Sequence, residues 1–270
     1  MQRDILGYDK LLVAGREFIR LGCVYKHSSR GLQQRMLFLF NDLLLVTSKC
    51  GGSQFRAHAA LALHQLHVAS TDLPNSFTIT GVDVNMTVSA SNEYEYIGWC
   101  EALENGARAA SEHPRADIDT QLTPYDQETG GNWSTNGGGG GGALSHVCWH
   151  RATSLHREHL HLAMRSATSG YLLRKFKNSH GWQKLWVVFA VFTLFFYKSW
   201  HDRAPLASLP LLGYNVGVPA EDDGIHKEFV FKLQFKNHVY FFRADSHYTY
   251  NRWTQVLKTA TVNHHKELQI

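Results

Sequence analysis

The sequence predicts a mainly β protein with α-helices, built as two bent antiparallel sheets of seven strands, each closed by a C-terminal amphipathic helix. Three observations predict it: the chain repeats itself, apolar alternation dominates both copies, and each copy ends in a helical pattern with one Trp. At 270 residues the chain is long enough for two domains of about 100 residues each. Its composition, 44% hydrophobic and 19% charged, is that of a folded protein.

The repeat is visible in two pairs of segments. Residues 34–49 align without gaps on residues 183–198, and residues 22–26 lie over residues 170–174. Copies about 149 residues apart are too widely spaced for a solenoid. The repeat therefore indicates a tandem of two like domains.

Strand patterns fill both copies. Residues 228–236 alternate with period two, which predicts a strand whose even-numbered positions form a solvent-exposed face. A turn at residues 236–237 then predicts a hairpin with the strand that follows. The apolar stretch 185–197 is too short to cross a membrane and is interpreted as two strands.

Each copy ends in a helix. Ser246 is expected to cap the second helix and Ser91 the first, because each precedes an apolar stripe with steps of three and four residues. Trp253 and Trp99 lie on these stripes. Both are expected to be core residues that close one end of a strongly bent sheet.

The composition changes near residue 111. Residues 111–168 show little apolar periodicity and include a run of six glycines, so they are predicted to form a flexible Gly-rich linker. The predicted organisation is residues 15–110 as the first domain, 111–168 as the linker, 169–262 as the second domain and 263–270 as a tail.

Charge is concentrated in the C-terminal part. Residues 1–110 are neutral and residues 111–168 carry −2, whereas residues 169–270 carry thirteen Lys and Arg against seven Asp and Glu. The excess of +6 indicates a local anionic partner and argues against a nucleic-acid partner along the chain. Four Cys without a CxxC pair, and no signal peptide, indicate a cytosolic protein with reduced thiols.

A family resemblance is carried by five segments: residues 16–22, 33–45, 146–151, 170–186 and 205–213. The first two look like the pleckstrin homology (PH) domain that follows the exchange domain in Dbl-type Rho exchange factors. Residues 170–186 and 205–213 resemble the second PH domain of the FERM, RhoGEF and pleckstrin domain-containing proteins, and residues 146–151 resemble the segment that precedes it. The resemblance covers about residues 1–110 and 144–262.

The resemblance implies a regulatory role without catalysis. The family's FERM domain and its Dbl homology domain, which exchanges nucleotide, are expected upstream of this chain, and residues 1–14 are expected to be the connector from that missing upstream domain. It further implies a parent protein that acts on Rho, Rac or Cdc42 GTPases, with the Dbl homology domain as a partner and the GTPase as an indirect one. The expected location is the cytoplasm, peripheral at the inner face of the plasma membrane.

A basic cluster in the second domain is the first candidate site, for anionic lipid. It lies within eleven residues, with no acidic residue between Arg165 and Asp202. Its members are Arg174, Lys175, Lys177, His180 and Lys184. Basic side chains here can bind phosphate groups. The resemblance implies weak binding, because strong phosphoinositide binders have an Arg where this chain has Leu185.

The first domain offers three basic residues for a protein contact, Lys26, Arg30 and Arg35. A PH domain in this position is expected to contact the exchange domain or its GTPase. The alternative for the whole chain is a protein-interaction or autoinhibitory scaffold with no lipid role.

Metal and catalytic chemistry find little support. His146 and His150, and the His-rich residues 156–161, are suitable ligand types but have no HExxH spacing. No GxSxG or P-loop motif is present. We therefore expect no metal site, no cofactor and no catalytic residue.

Overall fold

The computed structural model describes residues 4–51, 54–115, 118–123, 140–177, 179, 181–211 and 213–267. It divides into two compact units, Met1–Glu158 and His159–Ile270. Sixteen strands and four α-helices lie in the described residues, so the mainly β fold class is confirmed. Across these ranges no helix is both long and apolar enough to cross a membrane.

The first unit is a nine-stranded sheet. Its elements are β1 (Ile5–Leu6), β2 (Phe18–Ser28), β3 (Gly31–Phe40), β4 (Leu43–Lys49), β5 (Phe55–Ala62), β6 (His67–Ser70), β7 (Ser76–Thr80), β8 (Asn85–Ser89), α1 (Glu93–Glu112), α2 (Gly140–Arg151) and β9 (Ser154–His156), with α3 (Arg157–Arg165) at its boundary. The strand order is β1-β5-β4-β3-β2-β8-β7-β6, and β9 also pairs with β2. The seven predicted strands are β2 to β8, and β1 and β9 are additions.

The second unit is a seven-stranded sheet followed by one helix. Its elements are β10 (Ser169–Phe176), β11 (Gln183–Ala190), β12 (Thr193–Tyr197), β13 (Ala207–Pro210), β14 (Asn215–Gly217), β15 (Val230–Phe235), β16 (His238–Arg243) and α4 (His247–Glu267). The order is β13-β12-β11-β10-β16-β15-β14, and neighbouring strands are antiparallel. The predicted hairpin at residues 236–237 and the division of residues 185–197 into two strands are both confirmed.

Each core buries one Trp, which comes from α1 in the first unit and from α4 in the second. Trp99 of α1 packs with Leu37 and its neighbours in the first unit, and Trp253 of α4 packs with Leu172 in the second. Both indoles are at most 1% exposed. Burying side chains of this size contributes a large share of the hydrophobic stabilisation of each unit.

The register of the repeat differs from the predicted one. Leu37 pairs with Val46 and both belong to the core around Trp99, whereas in the second unit the equivalent core pair is Val187 and Phe196. The gap-free alignment of the sequence placed Leu37 on Trp186, which is not in the core around the helix. A slip of one residue exchanges the two faces of a strand. The repeat is present, and the alignment of residues 34–49 on residues 183–198 was wrong by one position.

The predicted linker 111–168 contains regular structure. It includes the end of α1, all of α2 and β9, and α3, while residues 124–139 lie outside the described residues. Leu144 and Cys148 of α2 and Leu155 of β9 are buried. Their apolar surface stabilises this segment against the cost of ordering it, so the expectation of a structureless interval was wrong for residues 140–165.

The residues predicted as a connector also pack on the first unit. Ile5 of β1 pairs in parallel with Phe55 of β5, and Tyr8 and Leu11 are buried. The predicted domain boundaries themselves stay a prediction.

The predicted N-cap of α4 is confirmed, whereas that of α1 is wrong by one residue. Ser246 Oγ accepts the Thr249 N–H at 3.2 Å, which caps α4 as predicted. At α1 the cap is Asn92, whose side chain accepts the Glu95 N–H at 2.9 Å. Ser91 instead donates its hydroxyl to the Ala152 carbonyl at 2.6 Å. The prediction of Ser91 as the cap was therefore wrong.

The outer face of β15 is less polar than predicted. Val230 packs with Val239 and Phe241 in a small cluster of its own, against Trp182 and Ile225. At β15 and β16 the sheet thus buries apolar side chains on both faces, because the loops that carry Trp182 and Ile225 cover this part of the outer face.

A buried ion pair joins three elements of the first unit. Arg20 Nη2 of β2 lies 3.2 Å from Glu95 Oε2 of α1, and both side chains are almost inaccessible. Ser154 of β9 accepts from Arg20 at 2.6 Å and donates both its hydroxyl and its N–H to Glu95. Burial lowers the pKa of Arg20, and the Glu95 charge opposes that shift. The network holds β9 against β2.

Candidate functional site

The basic cluster of the second unit lies on the hairpin of β10 and β11. Arg174 pairs with Gln183, and Leu173 pairs with Lys184 across the two strands. Leu172 points into the core, so with period two Arg174 shares its face, and Lys175 lies on the opposite one. The structure brings the described basic residues together on one hairpin but divides them between two faces. The remaining candidate, His180, lies outside the described residues.

Arg174 is half-buried against the sheet. Its guanidinium carbon lies 4.9 Å from the ring centroid of Phe176 and 4.7 Å from that of Phe196, and one N–H group donates to Gln183 at 2.9 Å. Burial lowers the pKa of Arg174. These contacts make Arg174 a structural cation at the edge of the core, with little of its charge presented to solvent.

The lysines are more accessible to a partner. Lys175 donates to the carbonyl of Ser179 in its own turn, Lys177 is exposed, and Lys184 is exposed with its ammonium 4.8 Å from the ring centroid of Tyr171. Within the described residues, neither Lys177 nor Lys184 has a carboxylate at ion-pairing distance. The usable positive charge of the hairpin therefore comes from these two exposed ammonium groups and, in part, from Lys175.

An acidic turn lies near this cluster, and sequence reasoning missed it. Residues Glu221–Asp223 form a 3-10 turn, and Asp223 accepts from Lys232 Nζ of β15 at 2.9 Å. Burial acts to raise the pKa of Asp223, but hydrogen bonds from Lys232 and the Ala220 amide, with the charges of Lys232 and Lys177, bring it below its ordinary value. The carboxylate is therefore ionised at neutral pH and offsets part of the positive field.

The basic residues of the first unit are partly brought together. Lys26 of β2 and Arg35 of β3, with Arg56 of β5, are close enough to His58 that their charges lower its pKa, in addition to burial, which is the larger cause. Arg30 lies exposed in the turn between β2 and β3. Arg56 was missed because it lies on a distant strand, and only the antiparallel pairing of β3, β4 and β5 brings it near.

The histidines of α2 form a pair. The rings of His146 and His150 lie 4.3 Å apart, and Lys49 Nζ is within 3.3 Å and 3.0 Å of their nitrogens. In the part of the chain that the structure describes, no three His, Cys, Asp or Glu side chains are arranged to hold a metal ion.

Comparisons with known proteins identify relatives of this chain. Residues 167–262 match the family model described as PH domain. FERM, ARHGEF and pleckstrin domain-containing protein 2 of Homo sapiens is 46% identical over 287 residues, and FERM, ARHGEF and pleckstrin domain-containing protein 1 of Gallus gallus is 42% identical over 285 residues. Each alignment covers 97% of this chain and 27% of the relative.

A similar solved structure is the PH domain of mouse Ethanol Decreased 4 Protein, 35% identical, covering 36% of this chain and 89% of that chain with a TM-score of 0.31. The chain spans about a quarter of the length of the curated relatives it matches. That the first unit is also a PH domain stays a prediction from its seven strands and final helix. The second unit is a PH domain, and nearly the whole chain is homologous to one stretch of the FERM, ARHGEF and pleckstrin domain-containing proteins.

Proposed function

We propose that this chain is a non-catalytic, PH-containing regulatory part of a Rho-family guanine nucleotide exchange factor. The similarity across 97% of the chain to proteins whose names include ARHGEF and pleckstrin supports this proposal. Exchange on a Rho, Rac or Cdc42 GTPase would be performed by a Dbl homology domain of the same parent protein. The chain's own task would be to place and to restrain that domain at the cytoplasmic face of the plasma membrane.

Membrane attraction is assigned to the β10–β11 hairpin of the second unit. The observation that carries it is the pair of exposed ammonium groups of Lys177 and Lys184, which have no carboxylate at ion-pairing distance within the described residues. The net charge of +6 over residues 169–270 supports it. Each Lys near an anionic bilayer contributes about 1 kcal/mol, so two or three of them give weak binding.

Two features keep the proposed binding weak and poorly selective. Arg174 is engaged with two aromatic rings and Gln183, so it is not free to bind a phosphate group. The acidic turn at Glu221–Asp223 is close enough for Lys177 to lower the pKa of Asp223. An inositol phosphate approaching this side of the hairpin would meet a fixed negative charge as well as the lysines.

Docking control is assigned to the first unit. Lys26, Arg35 and Arg56 gather positive charge around His58, which fits an acidic protein surface. We propose that this surface contacts the Dbl homology domain. The test is a nucleotide exchange assay with that domain and the full chain added in trans: Lys26→Glu with Arg35→Glu is expected to abolish any effect of the chain on the exchange rate. An effect that is unchanged by these substitutions would contradict the proposed surface.

Liposome co-sedimentation of the full 270-residue chain tests the membrane proposal. Vesicles contain phosphatidylserine alone or with added phosphoinositide, over a series of salt concentrations. Lys175→Glu with Lys177→Glu is expected to weaken salt-sensitive binding by about tenfold or more. Lys177→Glu alone is compared with Lys258→Glu, an exposed residue of α4 with the same change of charge. Equal effects of these two would show attraction by net charge and not by the hairpin.

The scaffold function is the second candidate, and the acidic turn near the lysines favours it. If the unmodified chain does not bind vesicles at low salt, the lipid role is wrong. Protein docking would then be the function of both units.

A further inference from the structure

A groove of about 310 Å³ lies on the second unit's sheet, on the face opposite the core around Trp253. Its floor includes Trp186 of β11 and Tyr197 of β12, which pair directly across the strands. Met164 of α3 and Trp200, which follows β12, also line it and are both more than half exposed. Three aromatic side chains thus bound one open groove.

The groove presents hydrogen-bond donors that nothing else uses. Tyr197 is only 3% exposed, and its hydroxyl has no hydrogen-bond partner among the described residues. The indole N–H groups of Trp186 and Trp200 also have no hydrogen-bond acceptor in the described ranges. Burial raises the pKa of Tyr197, so its hydroxyl stays protonated and can donate. Its oxygen is not among the buried unsatisfied atoms of the described residues, so it is open to the groove, where a ligand that accepts from it would gain a hydrogen bond.

The lining of the groove holds one positive and one negative side chain, and the net charge of the surrounding unit favours an acidic ligand. Arg203 lines it, is exposed, and has no carboxylate at ion-pairing distance in the described part of the chain. Asp202 also lines it, and one of its oxygens accepts the Ser199 N–H at 2.9 Å. The unit as a whole is strongly basic, so its field adds to that of Arg203.

We propose that this groove binds a proline-rich segment of a partner polypeptide, in the polyproline II conformation and flanked by acidic residues. Proline rings pack on aromatic faces, and the segment's carbonyl groups are free to accept hydrogen bonds, while Pro has no N–H to leave unsatisfied. A helix would use its carbonyl groups internally and leave the Tyr197 hydroxyl without an acceptor. The six Pro of these 270 residues include no two that are three residues apart, so the proposed segment lies outside them.

The proposal is tested by fluorescence anisotropy with the full chain and a labelled peptide of ten prolines with two Glu at each end. The unmodified chain is expected to bind this peptide at least about tenfold more tightly than a peptide with Ala in place of every Pro. A Pro peptide with Lys in place of the flanking Glu residues is expected to bind more weakly than the Pro peptide with Glu. Equal binding of the Pro and Ala peptides would overturn the proposal, and tighter binding of the Ala peptide would assign the groove to a helix instead.

Two variants locate the binding in the groove. Trp200→Ala removes an exposed aromatic wall and is expected to weaken binding about tenfold. Tyr197→Phe keeps the buried ring, removes only the hydroxyl, and is expected to weaken binding about fivefold. Tyr248→Ala, at an exposed position of α4, is the control and should leave binding unchanged. If neither groove variant weakens binding, the groove is not the site.

Discussion

The two units share seven strands and a helix with a buried Trp, but they differ on the face of the sheet away from that helix. In the first unit this face is covered: Trp149 of α2 packs on Phe55 at 5.8 Å between ring centroids, and Met36 is fully buried. In the second unit the position of Met36 is taken by Trp186, which lines an open groove beside the exposed Trp200.

The difference shows that the same arrangement of strands can bury its outer face or leave part of it open. When neighbouring segments of the same chain cover the outer face, that face becomes a second core and contributes to stability. When they leave it open, the same positions hold partly exposed aromatic residues suited to a partner.

Glu95→Gln is expected to have the largest effect. It removes the charge that pairs with Arg20 and leaves a buried guanidinium uncompensated, which destabilises the first unit by about 3–5 kcal/mol. Urea unfolding followed by far-UV circular dichroism measures the loss. Glu93→Gln, with the same change at an exposed residue of the same helix, is the control and should cost less than about 0.5 kcal/mol. Equal losses would mean that the network holding β9 contributes nothing specific.

Gly22→Ala and Gly170→Ala compare aligned positions of β2 and β10. A Cβ at Gly22 would lie 2.2 Å from Ser154 Cβ, whereas one at Gly170 would have its nearest neighbour, Trp253 Nε1, at an ordinary 3.7 Å. We expect Gly22→Ala to destabilise by about 1–3 kcal/mol.

Gly170→Ala should be neutral or slightly stabilising, because Ala restricts the unfolded chain more than Gly does. Hydrogen exchange supplies the readout: Gly22→Ala should lower protection of the Cys23 amide, which donates to Thr153. Unchanged protection there would show that β9 does not depend on the close approach.

Two substitutions in the turn between β11 and β12 are expected to stabilise the second unit. Val191 and Phe192 both have positive φ, near 47° and 50°, which β-branched and bulky residues adopt at a cost. In the first unit Asn41 and Asp42 form the equivalent turn without positive φ. Val191→Asn with Phe192→Gly is expected to stabilise the second unit by about 1–2 kcal/mol, seen as a higher melting temperature by calorimetry. A lower melting temperature would mean that contacts of the Phe192 ring outweigh the strain.

The helix caps should have the smallest and most equal effects. Asn92→Ala and Ser246→Ala each remove one side-chain acceptor from the start of a final helix and should cost about 1 kcal/mol. Thermal unfolding of both variants checks this. Replacing Asn92 by Asp, and Ser246 by Thr, should restore most of the loss, and a failure of both restorations would argue against capping as the cause.

Most of the fold could be predicted because alternation and helical stripes are local signals. The alignment of the repeat failed where β3 and β4 are apolar on both faces, as in the run from Met36 to Phe40. When every residue of a strand is apolar, the sequence does not show which face of the strand packs against the helix. An alignment that is shifted by one residue then fits the pattern equally well. The three-residue strand β9 is too short to show a period.

The candidate site was predicted only as far as it is local. The lysines of the β10–β11 hairpin are close in sequence and were found. Asp223 is distant in sequence: it contacts Lys232 of β15, and β15 lies near the hairpin because β16 pairs with both β15 and β10. The engagement of Arg174 with Phe196 depends likewise on the packing of β12 beside β11. Contacts across the sheet cannot be read from composition or spacing.

Because β9 lies late in the chain and pairs with the early strand β2, the first unit can finish folding during synthesis only after β9 has been made. Glu95 and Arg20 meet Ser154 only after the chain beyond α1 has left the ribosome. At about 5–20 residues per second, the roughly 45 residues from Glu112 to Glu158 delay that closure by about 2–9 s. During this interval the Arg20–Gly22 part of β2 has an unpaired edge, since β8 pairs only with Tyr25 and Lys26.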